Sequence, residues 1–354
     1  MRSGLLLLGM SFFLAGGVYA QEIEINKVFG SELPGAYKHP ACIAELANGD
    51  LYISYYGGSG EYEPDTAVYG SRQKPGSKEW SRPVVIADTP FYSDGNPVVW
   101  QAPDGLVWLF HVVRYGDTWS DSLIHAKISK DGANTWSDPF VLGREKGMMV
   151  RSQPIVLSNG DYLLPIYHET GHDREVVGGD TTSLFLRCNP KTMTWTESSR
   201  ITARLGCLQP SVVQIDDNYL ITYMRRGGGY DPRTDGYLVR SESHDGGKTW
   251  AEGKDSAFPN PNAATDFIKL KNGHLLLVYN DSMNDRMPLT VSISTDNDMT
   301  YPFKRNILEG EDDLAYPFAI QSRDGKIHIV FTSKGRSQVN HAVFEERAIT
   351  GKAE

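Results

Sequence analysis

The apolar residues of this chain come in short runs that break at Asn/Asp-Gly turns, with no helical periodicity over any long window. HPACIAELANGDLYISYYG, from His39, is one such unit. Its relatives are NPVVWQAPDGLVWLFHVV from Asn96, QPIVLSNGDYLLPIYHE from Gln153 and QPSVVQIDDNYLITYMR from Gln209. ATDFIKLKNGHLLLVYND from Ala264 and YPFAIQSRDGKIHIVFTS from Tyr316 complete the set. The starts lie 57, 57, 56, 55 and 52 residues apart, and five of the six units keep a proline at their second position. Each unit reads as a strand, a tight turn and a second β-rich strand.

A second marker follows further along the repeat. It reads SKDGANTW over Ser129 to Trp136 and SHDGGKTW over Ser243 to Trp250. Looser echoes run from Ser71 to Trp80, Asn189 to Trp195 and Ser294 to Tyr301. The aspartate is expected to cap a tight glycine turn and the tryptophan to pack between layers. Six repeats of four short strands predict an all-β chain folded as a six-bladed β-propeller. The last repeat runs short after HAVFEER, so EIEINKVF near the start is expected to supply its outer strand and close the ring. This gives one domain over residues 21–354.

Residues 1–20, MRSGLLLLGMSFFLAGGVYA, read as a secretory signal peptide, and the protein is expected in the periplasm or the medium. No later run reaches the roughly 18 apolar residues of a membrane span. Without the leader the net charge is 34 basic minus 44 acidic residues, or −10, which argues against nucleic acid as a partner. Cys42, Cys188 and Cys207 are too few for a disulfide framework. They read as small buried side chains, with a Cys188–Cys207 bridge as the alternative. No metal or organic cofactor is implied. His168 and His172 stand four apart, but in a glycine-bearing loop rather than on a helix.

In a propeller the innermost strands line a central channel, so the residue before each proline falls at its mouth. His39, Asn96, Gln153, Gln209 and Tyr316 would form a polar ring there, broken at Ala264 but flanked by Asn262 and Asp266. Such convergence suits a ligand site, although amides also satisfy backbone groups in narrow wet channels. The ends of the second strands and the loops after them should reach the same face. They carry Asp65, Arg114, His168, Glu169, Arg225, Arg226 and Arg286, and Arg151 stands just ahead of Gln153. Several arginines in one ring suit an anionic ligand. Arg114 and one of Arg225 and Arg226 also fit as ordinary surface charges.

The SxDxGxTW boxes resemble the Asp-boxes of the sialidase (neuraminidase) superfamily, and QPSVVQ…YMRR, NPNAATDFIKLKNGHLLLVYNDS…R…PL and YPFAIQSRDGKIHIVFT extend that resemblance over almost the whole chain. The resemblance implies an exo-acting glycosidase on a terminal acidic sugar. It implies arginines on the sugar carboxylate, here Arg225 and Arg286, an aspartate acid/base at Asp65, and a tyrosine nucleophile at Tyr316. Two positions depart from the family pattern. Lys38-His39-Pro40 replaces an Arg-Ile-Pro, and Gln209 falls where a glutamate assists the tyrosine. Either the site is rebuilt, with Glu169 or His39 moving the proton and Arg151 holding the carboxylate, or the substrate is another acidic sugar. A uronate would fit the same arginines, and a histidine with a tyrosine could then run an elimination. A glycan-binding propeller without turnover is the third possibility.

Overall fold

A computed structural model describes residues 22–310 and 313–351. The leader reading falls outside the described residues. Six antiparallel sheets succeed one another in chain order, each with its first strand innermost. Blade one holds Tyr37–Glu45, Leu51–Gly58, Ala67–Gln73 and Val84–Ala87. Blade two holds Ser93–Gln101, Val107–Arg114, Ser122–Ser129 and Phe140–Gly143. Blade three splits its inner strand into Met148–Val150 and Ile155–Val156, then continues through Tyr162–His168, Thr182–Asn189 and Thr194–Glu197. Blade four holds Cys207–Gln214, Leu220–Arg226, Tyr237–Ser243 and Lys254–Pro259, and blade five Asp266–Lys269, Leu275–Asn280, Leu289–Ser294 and Phe303–Leu308. Blade six has Ala315–Gln321, Ile327–Ser333 and Gln338–Phe344. Its outer strand is Glu24–Phe29, which pairs Glu24 with Val343 and Ile25 with Ala342. The six-bladed propeller and its closure by the N-terminal strand are therefore as the repeat predicts.

The two ends of the inner strands do different work. At the turn end, side chains stitch each blade to the one before. Gln101 accepts from the Ala47 amide (2.9 Å), Gln214 from Ser158 (2.9 Å) and Gln321 from Lys271 (2.7 Å). Glu45 takes the Arg323 amide (2.7 Å) across the seam where the ring closes. The Asp-boxes lie at this end too. Asp131 accepts from the Thr135 hydroxyl (2.6 Å), the Thr135 amide (2.9 Å) and the Ser129 hydroxyl (2.8 Å), and these bonds hold its carboxyl below the usual range. Asp245 and Asp296 repeat the pattern with Thr249 and Thr300. Trp250 is buried between blades, stacked on Phe185 with ring centroids 4.4 Å apart. The boxes are structural, as their composition suggested.

The other end is strained. The residue before the proline sits at a register shift in blades one, two, four and six, and Asn96, Gln209 and Tyr316 adopt φ of 43°, 54° and 54°. Asn262 of blade five adopts 62°. A left-handed backbone is uncommon outside glycine, and for a tyrosine it is a true outlier. Strain of this kind, roughly 1–3 kcal/mol per residue, concentrates where side chains must be aimed. All three cysteines are free and buried, so Cys188 and Cys207 form no bridge. Among the described residues no helix is long and apolar enough to cross a membrane.

The stacked tryptophan gives a first expectation. Trp250→Ala should lower stability by about 3–5 kcal/mol, read as a shift of the urea midpoint with unchanged slope. A change under about 0.5 kcal/mol would mean that the blade 3–4 joint does not rely on this ring.

Candidate active site

Tyr316 stands at the centre of the strained end. Its hydroxyl accepts from Arg225 Nη1 (2.8 Å) and lies 3.4 Å from Gln209 Nε2. The guanidinium carbons of Arg225 and Arg286 lie 5.9 and 5.6 Å from its ring centroid. Burial works to raise the Tyr316 phenol, but Arg225, Arg286 and Arg336 overcome it and hold the pKa below the ordinary value. Arg225 is itself fixed by Asn262 Oδ1 on Nε (2.6 Å) and by the Tyr230 hydroxyl on Nη2 (2.9 Å). Arg336 donates through Nη1 to Glu61 (2.5 Å) and to the Tyr37 hydroxyl (3.0 Å), and Tyr37 also donates to Glu61 (2.5 Å).

Opposite this group lies Glu169, just beyond the second strand of blade three. Burial pushes its carboxyl up to about 7, with Arg225 pulling the other way. Tyr167 lies beside it and accepts from Asn96 Nδ2 (3.1 Å). His39 packs edge-on to Tyr316, with ring centroids 4.1 Å apart. Its Nδ1 lies 2.9 Å from the Thr332 hydroxyl, whose own hydrogen goes to the Ala315 carbonyl (3.3 Å). Nδ1 is therefore the donor and Nε2 carries the lone pair, buried and without a partner. Burial, then Arg336, Arg286, Arg151 and Arg225, keep this imidazole neutral.

These groups enclose a cavity of about 40 Å³, lined among others by His39, Asn96, Glu169, Gln209, Arg225 and Tyr316. It shares Glu175, Tyr230 and Arg336 with a neighbouring cleft of about 520 Å³ that reaches Arg286 and Asp313. A cleft of about 570 Å³ lies at the closure seam beside Trp80, His328 and His341. It is larger, but its lining mixes lysines (Lys27, Lys74, Lys78, Lys326) with carboxylates (Glu24, Glu45, Asp324) and holds no arginine, so the chemistry is assigned to the Tyr316 cavity.

The sequence expectations divide accordingly. His39, Asn96, Glu169, Gln209, Arg225 and Tyr316 meet at one cavity, Arg286 faces it from the cleft, and Asn262 acts behind Arg225. Five others are corrected. Asp65 turns back to accept from the amide (3.1 Å) and hydroxyl (2.9 Å) of Ser59, capping its own loop. Lys38 is buried and donates to the Leu33 and Gly35 carbonyls, because adjacent residues of a strand point to opposite faces. Arg151 lies one layer down, donating to the carbonyls of Tyr316 (2.9 Å) and Pro317 (2.8 Å) beneath the Tyr316 ring. Gln153 follows the break in its strand and lines clefts shared with Gln101 and Gln214. Asp266 is buried and braces three blades, accepting from Ser211 Oγ (2.6 Å) and the Ala319 amide (2.7 Å). Of the surface candidates, Arg114 and Arg226 hold backbone carbonyls.

Arg336, Glu61, Tyr37 and Tyr230 escaped the sequence reading. Arg336 sits in SKGRSQ after the second strand of blade six, the same place that yields Glu169, Arg225 and Arg286 in other blades. Glu61 lies four residues before Asp65 in the same loop.

The fold and this ring of arginines define a sialidase-like propeller. The sequence profile of the BNR repeat-like domain family matches residues 49–329, and the chain belongs to that family. Among solved structures it resembles the Hadza microbial sialidase Hz136, at 17% identity and a TM-score of 0.73 over 89% of this chain and 67% of that one. The NanB sialidase of Streptococcus pneumoniae is 11% identical, with a TM-score of 0.75 over 92% of this chain and 71% of that one. A protein of unknown function from Dyadobacter fermentans is 18% identical, with a TM-score of 0.71 over 91% of this chain and 99% of that one. No curated protein matches the chain in sequence. Identities this low establish the fold and leave the reaction to the residues.

Glu169 yields a stability test. Its raised pKa means the folded chain keeps a proton that the unfolded chain has released, so stability falls as pH climbs from about 4.5 to about 7. Glu169→Gln removes that loss. The variant should exceed the parent by roughly 2–3 kcal/mol at pH 8 and match it at pH 4, measured by urea unfolding at both values. Equal stability at pH 8 would show that the carboxylate is well solvated.

Proposed function

We propose that this chain is an exported glycoside hydrolase of the sialidase type, removing terminal sialic acid or a related acidic sugar from glycans. One observation carries the reading. Arg225, Arg286 and Arg336, from three blades, converge on a phenol whose pKa they depress. Guanidiniums in this density suit a sugar carboxylate. A phenol is a fitting nucleophile beside that carboxylate, which would repel a second one, and tyrosine nucleophiles are the known exception among glycosidases. Export rests on the sequence of residues 1–20 alone.

In this mechanism Tyr316 releases its phenolic proton to solvent, helped by the field of Arg225, Arg286 and Arg336, and the phenolate attacks the anomeric carbon while Glu169, protonated near neutrality, gives its proton to the departing oxygen. A bond forms between Tyr316 and the sugar as the glycosidic bond breaks. Glu169, now a carboxylate, takes a proton from water, which displaces the phenolate and restores both groups. Gln209 cannot act as a base. The surrounding arginines take over that task electrostatically, by lowering the proton affinity of the phenol.

His39 favours a second reading. A neutral imidazole with an unpartnered Nε2 beside Tyr316 can remove a carbon-bound proton next to a uronate carboxylate, with Glu169 protonating the leaving oxygen. The product would be an unsaturated uronate absorbing in the near ultraviolet.

For the hydrolase, Tyr316→Phe should lose at least 100-fold in kcat on 4-methylumbelliferyl-sialic acid while remaining folded. Full activity in this variant would sink the nucleophile assignment. Glu169→Gln should lose about 10²–10⁴-fold in kcat/KM, which reports the first bond-breaking step, on sialyl oligosaccharides, and much less in kcat/KM on the methylumbelliferyl glycoside, whose leaving group needs little help. In the parent, kcat/KM on oligosaccharides should fall above about pH 7 as Glu169 ionises. Equal losses on both substrates would remove Glu169 from the acid role. A parent inert on sialosides that generates near-ultraviolet absorbance from uronate glycans would instead select the elimination. Tight sugar binding without any turnover would identify a binding propeller.

A further inference from the structure

Two of the three site arginines already hold a carboxylate of the chain itself. Asp313 places Oδ1 3.4 Å from Arg286 Nη1 and Oδ2 3.5 Å from Arg336 Nε. A settled charge-assisted bond between such groups is about 2.7–2.9 Å, so the contact bridges both guanidiniums without seating on either. The neighbouring bonds are tighter, with Glu61 on Arg336 at 2.5 Å and Asn262 on Arg225 at 2.6 Å. Asp313 also has a left-handed backbone, φ 58°. The next residue is firmly tied, Leu314 donating to the Arg286 carbonyl (2.9 Å) and accepting from Asn280 Nδ2 (3.0 Å). The aspartate thus sits two residues ahead of the strand Ala315–Gln321, beside an anchored leucine. It lines the cleft with Tyr37, Tyr230, Arg286 and Arg336, and its side chain is 29% exposed.

We propose that Asp313 is a built-in competitor for the substrate's carboxylate, a specificity-determining residue that must yield Arg286 and Arg336 before an acidic sugar binds. The proposal rests on the functional reading above. Its chemistry is simple ion-pair exchange. While the site is empty, Asp313 and Glu61 offset the charges of Arg286 and Arg336, which limits the mutual repulsion of guanidiniums held in a poorly solvated mouth. An arriving carboxylate takes the position of Asp313, whose side chain turns to the solvent it already touches. Ligands lacking a carboxylate gain nothing from that exchange and meet an occupied cradle. Asp313 therefore selects for ligands that bring an anion together with further contacts.

The test is titration calorimetry of N-acetylneuraminate, its methyl ester and D-glucuronate against the full mature chain and Asp313→Asn. Asparagine tolerates a left-handed backbone, so the variant should fold. Asp313→Gly, free of strain at that φ, serves as a second variant. Both should bind the free acids five- to twentyfold more tightly than the parent, with no gain for the ester. Weaker or unchanged binding of the acids by both variants, with the parent still binding them, would overturn the competitor role and make Asp313 a residue that positions the arginines. A gain of equal size for the ester would overturn it too. No binding of any sugar acid by parent or variants would instead overturn the acidic-sugar reading on which the proposal stands.

Discussion

The site depends on one electrostatic constraint, which is that Arg225, Arg286 and Arg336 crowd a narrow, poorly solvated mouth around the Tyr316 phenol, with Arg151 beneath its ring. Arg151, Arg225, Arg286 and Arg336 come from blades three, four, five and six, and like charges at this spacing repel strongly where water is scarce. Each is made tolerable by partners of its own. Arg151 spends its donors on carbonyls beneath Tyr316, Arg225 on Asn262, Tyr230 and Tyr316, Arg336 on Glu61 and Tyr37, and Arg286 on Asp313. The field that remains has two effects. It lowers the proton affinity of Tyr316, and it adds to the burial that keeps His39 neutral. Only a ring of short blades brings so many arginines to one point without a common strand, and the left-handed turns before the prolines aim Asn96, Gln209 and Tyr316 into the same space.

Stability and chemistry are accordingly kept at opposite ends of the inner strands. The turn end carries the Asp-boxes, the glutamine stitches and the stacked Trp250, whose bonds stay within the fold. The mouth carries unpartnered and strained groups of its own, among them His39 Nε2, the half-engaged Asp313 and the left-handed tyrosine. The carboxyl of Glu169, with a pKa near 7, follows the same division, since its burial costs stability as pH climbs from about 4.5 to about 7 while keeping a proton available for a leaving group.

The architecture was almost fully legible in the sequence because repetition is a global signal. Six hairpins at near-equal spacing admit few other closures, and EIEINKVF was the natural last strand. The site was legible only in part, for local reasons. Tyr316, Arg225, Arg286 and Glu169 lie at repeat-equivalent positions and could be placed by counting. Lys38 failed because one step along a strand reverses the face, and Arg151 and Gln153 failed because the inner strand of blade three breaks between Val150 and Ile155. Asp65 and Glu61 share a loop with no periodicity, so nothing in the pattern says which carboxylate turns inward. Asp266, expected beside the mouth, is instead buried in the packing of three blades, where its carboxylate takes the Ser211 hydroxyl and the Ala319 amide. Arg336 follows the second strand of blade six as Glu169 follows that of blade three, so the repeat spacing itself marks it.

The central claim is that the arginines activate Tyr316, and an ultraviolet difference titration of the folded protein beside Tyr316→Phe tests it most directly. Tyr55 and Tyr167 are raised by burial and should stay silent below pH 10, and every other tyrosine is common to both proteins. The account predicts a phenolate signal with a midpoint below 10 that disappears in the variant. Identical titrations of the two proteins below pH 10 would contradict it, leaving Tyr316 an ordinary buried phenol and the arginines without the role assigned to them.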